Sequence, residues 1–134
     1  MIFGFGGKKR FYFRVFDDAL RKAGLHPAIL DDAFRLTVWR WVEEEVASGR
    51  CQDDNPHYSL MEAVARLAAF AMLEPEESRE QLPPEALAAI TERLDRVLNN
   101  PETDGLDNRV IRLVLATGRA NHTIAERVEL DVEG

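Results

Sequence analysis

Between Leu60 and Leu73 only Glu62 and Arg66 are charged, and every other position is apolar on all sides of a helical projection. A helix of this kind has no face for water, so other helices must surround it. That requirement constrains the rest of the chain more than any other feature. The remaining 120 residues have to supply amphipathic helices around one centre. A chain of 134 residues is long enough for this, since a domain of that size removes about two-thirds of its extended surface from water. Ser59-Leu60-Met61-Glu62 matches a capping box, in which serine and glutamate side chains satisfy free backbone N–H groups, and places the start of the central helix at Ser59.

The covering helices follow from three- and four-residue spacing of apolar side chains. Tyr12, Phe16, Ala19, Leu20 and Ala23 form one stripe, with Arg14, Asp17, Asp18, Arg21 and Lys22 opposite, and Gly24 suits the end of that helix. The spacing predicts this helix from Phe11, although Phe11 to Phe16 is aromatic and β-branched enough to pass for a strand. A second helix follows Pro27 and runs from Ala28 to Ser48, with Leu30, Phe34, Val38, Trp41 and Val42 on its stripe. Asp31, Arg35 and Glu45 fall inside or beside that stripe and are its polar intrusions. Residues 49–58 form a polar loop, and residues 74–82 form at most a short acidic helix before Pro83-Pro84. Leu87, Ile90, Leu94, Val97 and Leu98 give the next helix a clean apolar face. The last third has two readings. Val110 to Leu115 suits a fifth helix or a strand, and Val128 to Glu133 alternates with period two, as a short helix or an extended tail would allow.

The expected fold is therefore mainly α: a compact bundle of four to five helices around the apolar helix of residues 60–73, with the C-terminal third open to an extended form. Residues 1–10 form a basic and aromatic leader, and residues 11–134 a single helical domain. Cys51 is the one cysteine, so no internal disulfide forms and nothing points to an oxidising compartment. The opening residues do not make a signal-peptide core, and no apolar run reaches the roughly 18 residues of a membrane span. A cytoplasmic protein is expected.

Charge is distributed unevenly. The net charge is −7, yet residues 1–16 hold Lys8, Lys9, Arg10 and Arg14 and no acid. The same sixteen positions contain Phe3, Phe5, Phe11, Tyr12, Phe13 and Phe16. The acidic remainder repels nucleic acid and anionic lipid, so any contact with either has to use this segment.

Motifs that carry chemistry are scarce. The glycines of Gly4-Phe5-Gly6-Gly7-Lys8 match neither a P-loop nor a dinucleotide fingerprint, and no strand precedes them. There is no Glu-x-x-His pair of the di-metal bundles. His26, His57 and His122 lack ligand-spaced neighbours, so no metal and no cofactor is expected. Cys51 and His57 make a nucleophile and base only if folding joins them. No catalytic residue is assigned, and an enzyme is the less favoured reading.

Two features suit recognition. The leader offers Phe3, Phe5, Lys8, Lys9 and Arg10 to a partner. Trp39, two residues from Trp41 and so on a different helical face, falls at the margin of the core stripe, where tryptophan makes an effective contact. The leading expectation is a non-catalytic module that binds another protein or itself. Weak peripheral binding of the basic-aromatic N-terminus to an anionic membrane or nucleic acid is the first alternative, with no specific nucleic acid expected. A small-molecule or catalytic pocket near Asp31, Arg35 and Glu45 is the second.

Overall fold

A computed structural model of the protein describes the backbone of residues 2–133 and the side chains of residues 9–128. Among the described residues there are seven α-helices and no strand: α1 (Ile2–Lys22), α2 (Asp32–Ala47), α3 (Pro56–Met72), α4 (Pro75–Gln81), α5 (Pro84–Asn99), α6 (Leu106–Thr117) and α7 (His122–Glu133). A single 3-10 turn, Pro27–Ile29, joins α1 to α2.

The mainly α bundle is as expected, but the count of four to five helices is too low. The short acidic segment forms α4, and the C-terminal third forms two helices instead of an extended tail. β-branched residues in α6 are accepted because tertiary burial outweighs their small propensity cost: Val110, Ile111 and Val114 are all buried. Gly118, at φ +75°, ends α6 in the left-handed conformation that glycine adopts without strain.

α3 stands at the centre and packs against α1, α2, α5 and α6. Met61, Val64, Ala65, Leu67, Ala68, Ala69 and Ala71 are fully buried along it. Its alanines allow neighbouring helices to approach its axis closely. The stripe predicted on α1 is the stripe that packs, with Phe16 and Leu20 wholly inaccessible to water. Burying each such side chain contributes about 1.5–3 kcal/mol. α1 ends in a Schellman motif: Leu25 N–H donates to Leu20 O at 2.9 Å and Gly24 N–H to Arg21 O at 3.0 Å, with Gly24 at φ +96°. Its start is earlier than the spacing predicts. α1 begins at Ile2, so the boundary drawn at residue 10 falls within a helix.

α3 also begins earlier, by one turn. Asn55 caps it, its side chain accepting from Tyr58 N–H at 3.2 Å, and Pro56 occupies the first position. Ser59 is thus inside the helix, its own N–H donating to Asn55 O at 3.1 Å.

The direction of each helix is fixed by a few contacts. Phe16 meets Phe34 near the start of α2, while Tyr12 stacks on Trp39 further along it, so α1 and α2 run antiparallel. Tyr12 also bonds to Asn55 at the start of α3, which returns alongside α1. At the far end of α3, Asn121 donates from its backbone to Ala71 O at 2.7 Å and from its side chain to Phe70 O and Leu73 O at 3.1 and 2.8 Å. Its Oδ1 accepts Ile124 N–H at 3.0 Å, so one buried asparagine closes α3 and opens α7. Arg127 then reaches Asp95 at 3.1 Å, placing α7 along α5. One end of the bundle therefore collects the middle of α1, the end of α2, the loop before α3 and the loop between α5 and α6.

Candidate interaction surface

The middle of α1 is anchored where three helices meet. Tyr12 O–H donates to Asn55 Oδ1 at 3.2 Å, and its ring lies 5.4 Å from that of Trp39 in a stacked arrangement. The His57 ring is 5.5 Å from both. Trp39 is only 8% exposed. The sequence reading placed it at the margin and Trp41 in the core, and the structure exchanges them. α1 lies over the side of α2 that carries Arg35 and Trp39, which covers both. Trp41 turns instead towards α6, where the Arg109 guanidinium stands 5.9 Å from its ring centroid. With its ring occupied inside the chain, Trp39 leaves no face for a partner.

Of the leader residues singled out, Phe3, Phe5 and Lys8 have side chains outside the described residues. Lys9 is half-buried and Arg10 exposed. Phe11 follows at 46% exposure and Tyr58, on the first turn of α3, at 39%. Sequence reasoning singled out neither, and placed Tyr58 in the 49–58 loop. The available signal was that Phe11 is one residue off the Tyr12–Phe16 stripe, and so about 100° away from it.

Five arginines, Arg10, Arg14, Arg40, Arg79 and Arg119, are in no ion pair among the described residues, and two of them lie on α1 beside Phe11. Among the described residues, nine of the fourteen arginines are in ion pairs. Arg10, Arg14 and Lys9 are not, nor are the exposed acids Glu43, Asp53 and Asp54 at the same end of the bundle.

Asp31, Arg35 and Glu45 do not converge. Asp31 caps α2, its Oδ1 accepting Phe34 N–H at 2.9 Å. Arg35 is buried and directs its fork away from the solvent: NH1 donates to Leu30 O at 2.6 Å, NH2 to Pro27 O at 2.8 Å and Nε to Asp17 Oδ1 at 2.9 Å. Glu45 is ten residues beyond Arg35, about 15 Å along the helix axis. There it accepts a two-point bond from Arg50, at 3.0 and 2.7 Å, which holds its carboxyl below the usual range.

Glu45 also borders a cleft of about 370 Å³ with Leu60, Arg93, Asn100, Leu106 and Asp107. Arg93 is committed to Asp107, with Nε 2.9 Å from Oδ2, Arg96 to Glu92 at 3.3 Å and Glu45 to Arg50, so each charge bordering the cleft already has an ion-pair partner. Beside it, Arg109 bridges Asp104 at 3.0 Å and Glu44 at 3.1 Å. These contacts tie the end of α2 to the loop before α6. Cys51 Sγ donates to Asp53 at 3.8 Å, and its contact is not with His57. Among the described residues no three His, Cys, Asp or Glu side chains are grouped to hold a metal ion, and no helix is long and apolar enough to cross a membrane.

Compared with known proteins, the chain matches no family model, no curated protein and no solved structure.

Proposed function

We propose that this chain is a non-catalytic interaction module that binds a protein through the exposed face of α1 around Phe11. The observation that carries the reading is the exposed Phe11 set among Lys9, Arg10 and Arg14, all without ion pairs among the described residues, in a chain that pairs most of its arginines. An aromatic ring beside unspent cations is the composition of a recognition surface, because the ring buries area at low entropic cost and the charges steer the encounter. Phe3, Phe5 and Lys8 continue the same composition in sequence. Glu43, Asp53 and Asp54 at the same end weigh against a membrane or nucleic acid as the partner, since a polyanion would meet repulsion there.

A photo-crosslinking amino acid at position 11, used in cells, tests this reading. Covalent adducts to a protein are expected from position 11, and not from a control at the exposed Ala116 on α6. No protein adduct from position 11, nor from neighbouring probes at positions 10 and 14, would overturn it.

A further inference from the structure

The cleft of about 370 Å³ where α2, α3, α5 and α6 meet holds one hydrogen-bonding group that the chain does not use. Asn108 lines this cleft and is only 7% exposed. Its Nδ2 donates to Asn100 O at 3.0 Å, which fixes the amide's orientation, because a backbone carbonyl can face only the donor end. Oδ1 is thereby turned towards Gly105, 3.8 Å from where a Cβ on that glycine would stand, and Gly105 is part of the same wall. Among the described residues no group donates to this oxygen, and it is not sealed off from solvent. Amide oxygens of buried side chains are normally satisfied, so an open acceptor in a cleft calls for a donor from outside the chain.

The first turn of α6 supplies complementary donors. Gly105, at the N-cap, has no side chain to cap the helix, so the N–H groups of Leu106 and Asp107 have no partner within it. Leu60, Val97 and Leu106 give the cleft apolar walls. Arg93, Arg96, Glu45 and Asp107 are each in an ion pair, so a charged ligand would have to displace a partner that is already in place. We infer that this cleft binds a small uncharged amide, whose N–H donates to Asn108 Oδ1 and whose carbonyl accepts from the start of α6. An amide carries a donor and an acceptor side by side, and Asn108 Oδ1 and the free N–H groups stand within one helical turn of each other. The volume lies at the small end of the roughly 300–1,000 Å³ of small-molecule sites. The cleft shares no residue with the α1 surface, so this site stands or falls independently of the interaction reading.

Two-dimensional amide NMR of the full chain, titrated with benzamide, tests it. Saturable shifts are expected at Gly105 to Asn108 and at Leu60, in the millimolar range usual for a probe of this size. N,N-dimethylbenzamide, which lacks the donor, and benzoate, which carries a charge, should each bind about fivefold or more weakly. Gly105→Ala places a methyl group beside Oδ1, and at φ −102° an alanine is unstrained there. That variant should keep the helical spectrum of the parent and lose about fivefold or more in benzamide affinity. Asn108→Leu removes the acceptor and should abolish binding; if it fails to fold, Gly105→Ala and N,N-dimethylbenzamide read the same contact in a folded chain. No saturable shift, as when water alone fills the cleft, would overturn the inference. So would shifts centred elsewhere, benzoate binding as tightly as benzamide, or indifference both to the missing donor and to Gly105→Ala.

Discussion

Arg35, near the start of α2, reaches across to α1 and places its Nε 2.9 Å from Asp17 Oδ1. The same guanidinium satisfies the carbonyls of Pro27 and Leu30, so one side chain fastens the turn between the two helices to both of them. The planar fork of arginine fits three acceptors in different directions, which an ammonium group at the end of a flexible stem does not.

Replacing Arg35 with alanine therefore leaves the Leu30 carbonyl without its donor, the Pro27 carbonyl with only the Leu30 N–H, and Asp17 without its partner. The expected loss is about 2–4 kcal/mol of stability, and Arg35→Lys recovers less than half of it. Urea denaturation of both variants provides the measurement. A lysine variant as stable as the parent would show that charge alone matters at this position.

The start of α3 gives a second prediction, because two caps compete on paper. Asn55→Ala removes the cap and also the acceptor of Tyr12 O–H, and should cost about 1–2 kcal/mol. Ser59→Ala changes a residue already inside the helix and should change stability by less than about 0.5 kcal/mol. The reverse order in urea melts would restore the start at Ser59.

Ser78 on α4 is buried, and its Oγ has no hydrogen-bond partner among the described residues. Burial without a partner opposes folding, so Ser78→Ala should be neutral or stabilising by up to about 1 kcal/mol. Thermal melts followed by circular dichroism will show the sign. Clear destabilisation would mean that the hydroxyl is satisfied in solution.

Acid sensitivity follows from two carboxylates at the end of the bundle that carries the interaction surface. The Arg109 hydrogen bond to Asp104 and the Arg50 hydrogen bond to Glu45 each lower a carboxyl pKa from ordinary values of 3.8 and 4.5. A carboxylate whose pKa is lower in the folded state adds stability above its unfolded pKa and loses it as pH falls through the folded one. The contribution is thus complete at neutral pH and fades below about pH 4. Arg109→Ala should flatten the acid limb of the stability profile and leave the region above pH 6 with little slope. The effect is small, since Asp104 is exposed and its ion pair is screened by water. Urea midpoints measured across that range in parent and variant will test it, and parallel acid limbs would count against the assignment.

How much of this was legible in the sequence varies with the distance over which each feature is decided. Leu60 to Leu73, apolar on all sides, could only be central, and α3 is central. Gly24 and Gly118 end helices and Pro84 starts one, because φ preferences and missing donors act within a single turn. The stripe of Leu94, Val97 and Leu98 was equally plain. Where local signals conflicted, they misled: Ser59 to Glu62 forms a good capping box, yet Asn55-Pro56 starts the helix, since Asn55 also accepts from Tyr12, forty-three residues away.

By itself, then, the sequence determined that this chain is helical, that residues 60–73 are its centre, and that its basic and aromatic residues are concentrated at the start while acid dominates the rest. Those properties are set by composition and by spacing along a single helix. The tertiary structure alone decided that α6 and α7 are helices, because burial tips the balance for β-branched residues of indifferent propensity. It decided that Trp39 is buried and Trp41 only partly so, at the edge of the core, because the covered side of α2 depends on where α1 lies across it. It also decided which charges are spent. Arg35 finds Asp17 eighteen residues away and Arg109 finds Glu44 sixty-five away, whereas Arg10 and Arg14 find no ion-pair partner among the described residues. An unspent charge cannot be recognised from its neighbours in the chain, because pairing depends on which helix faces pack together.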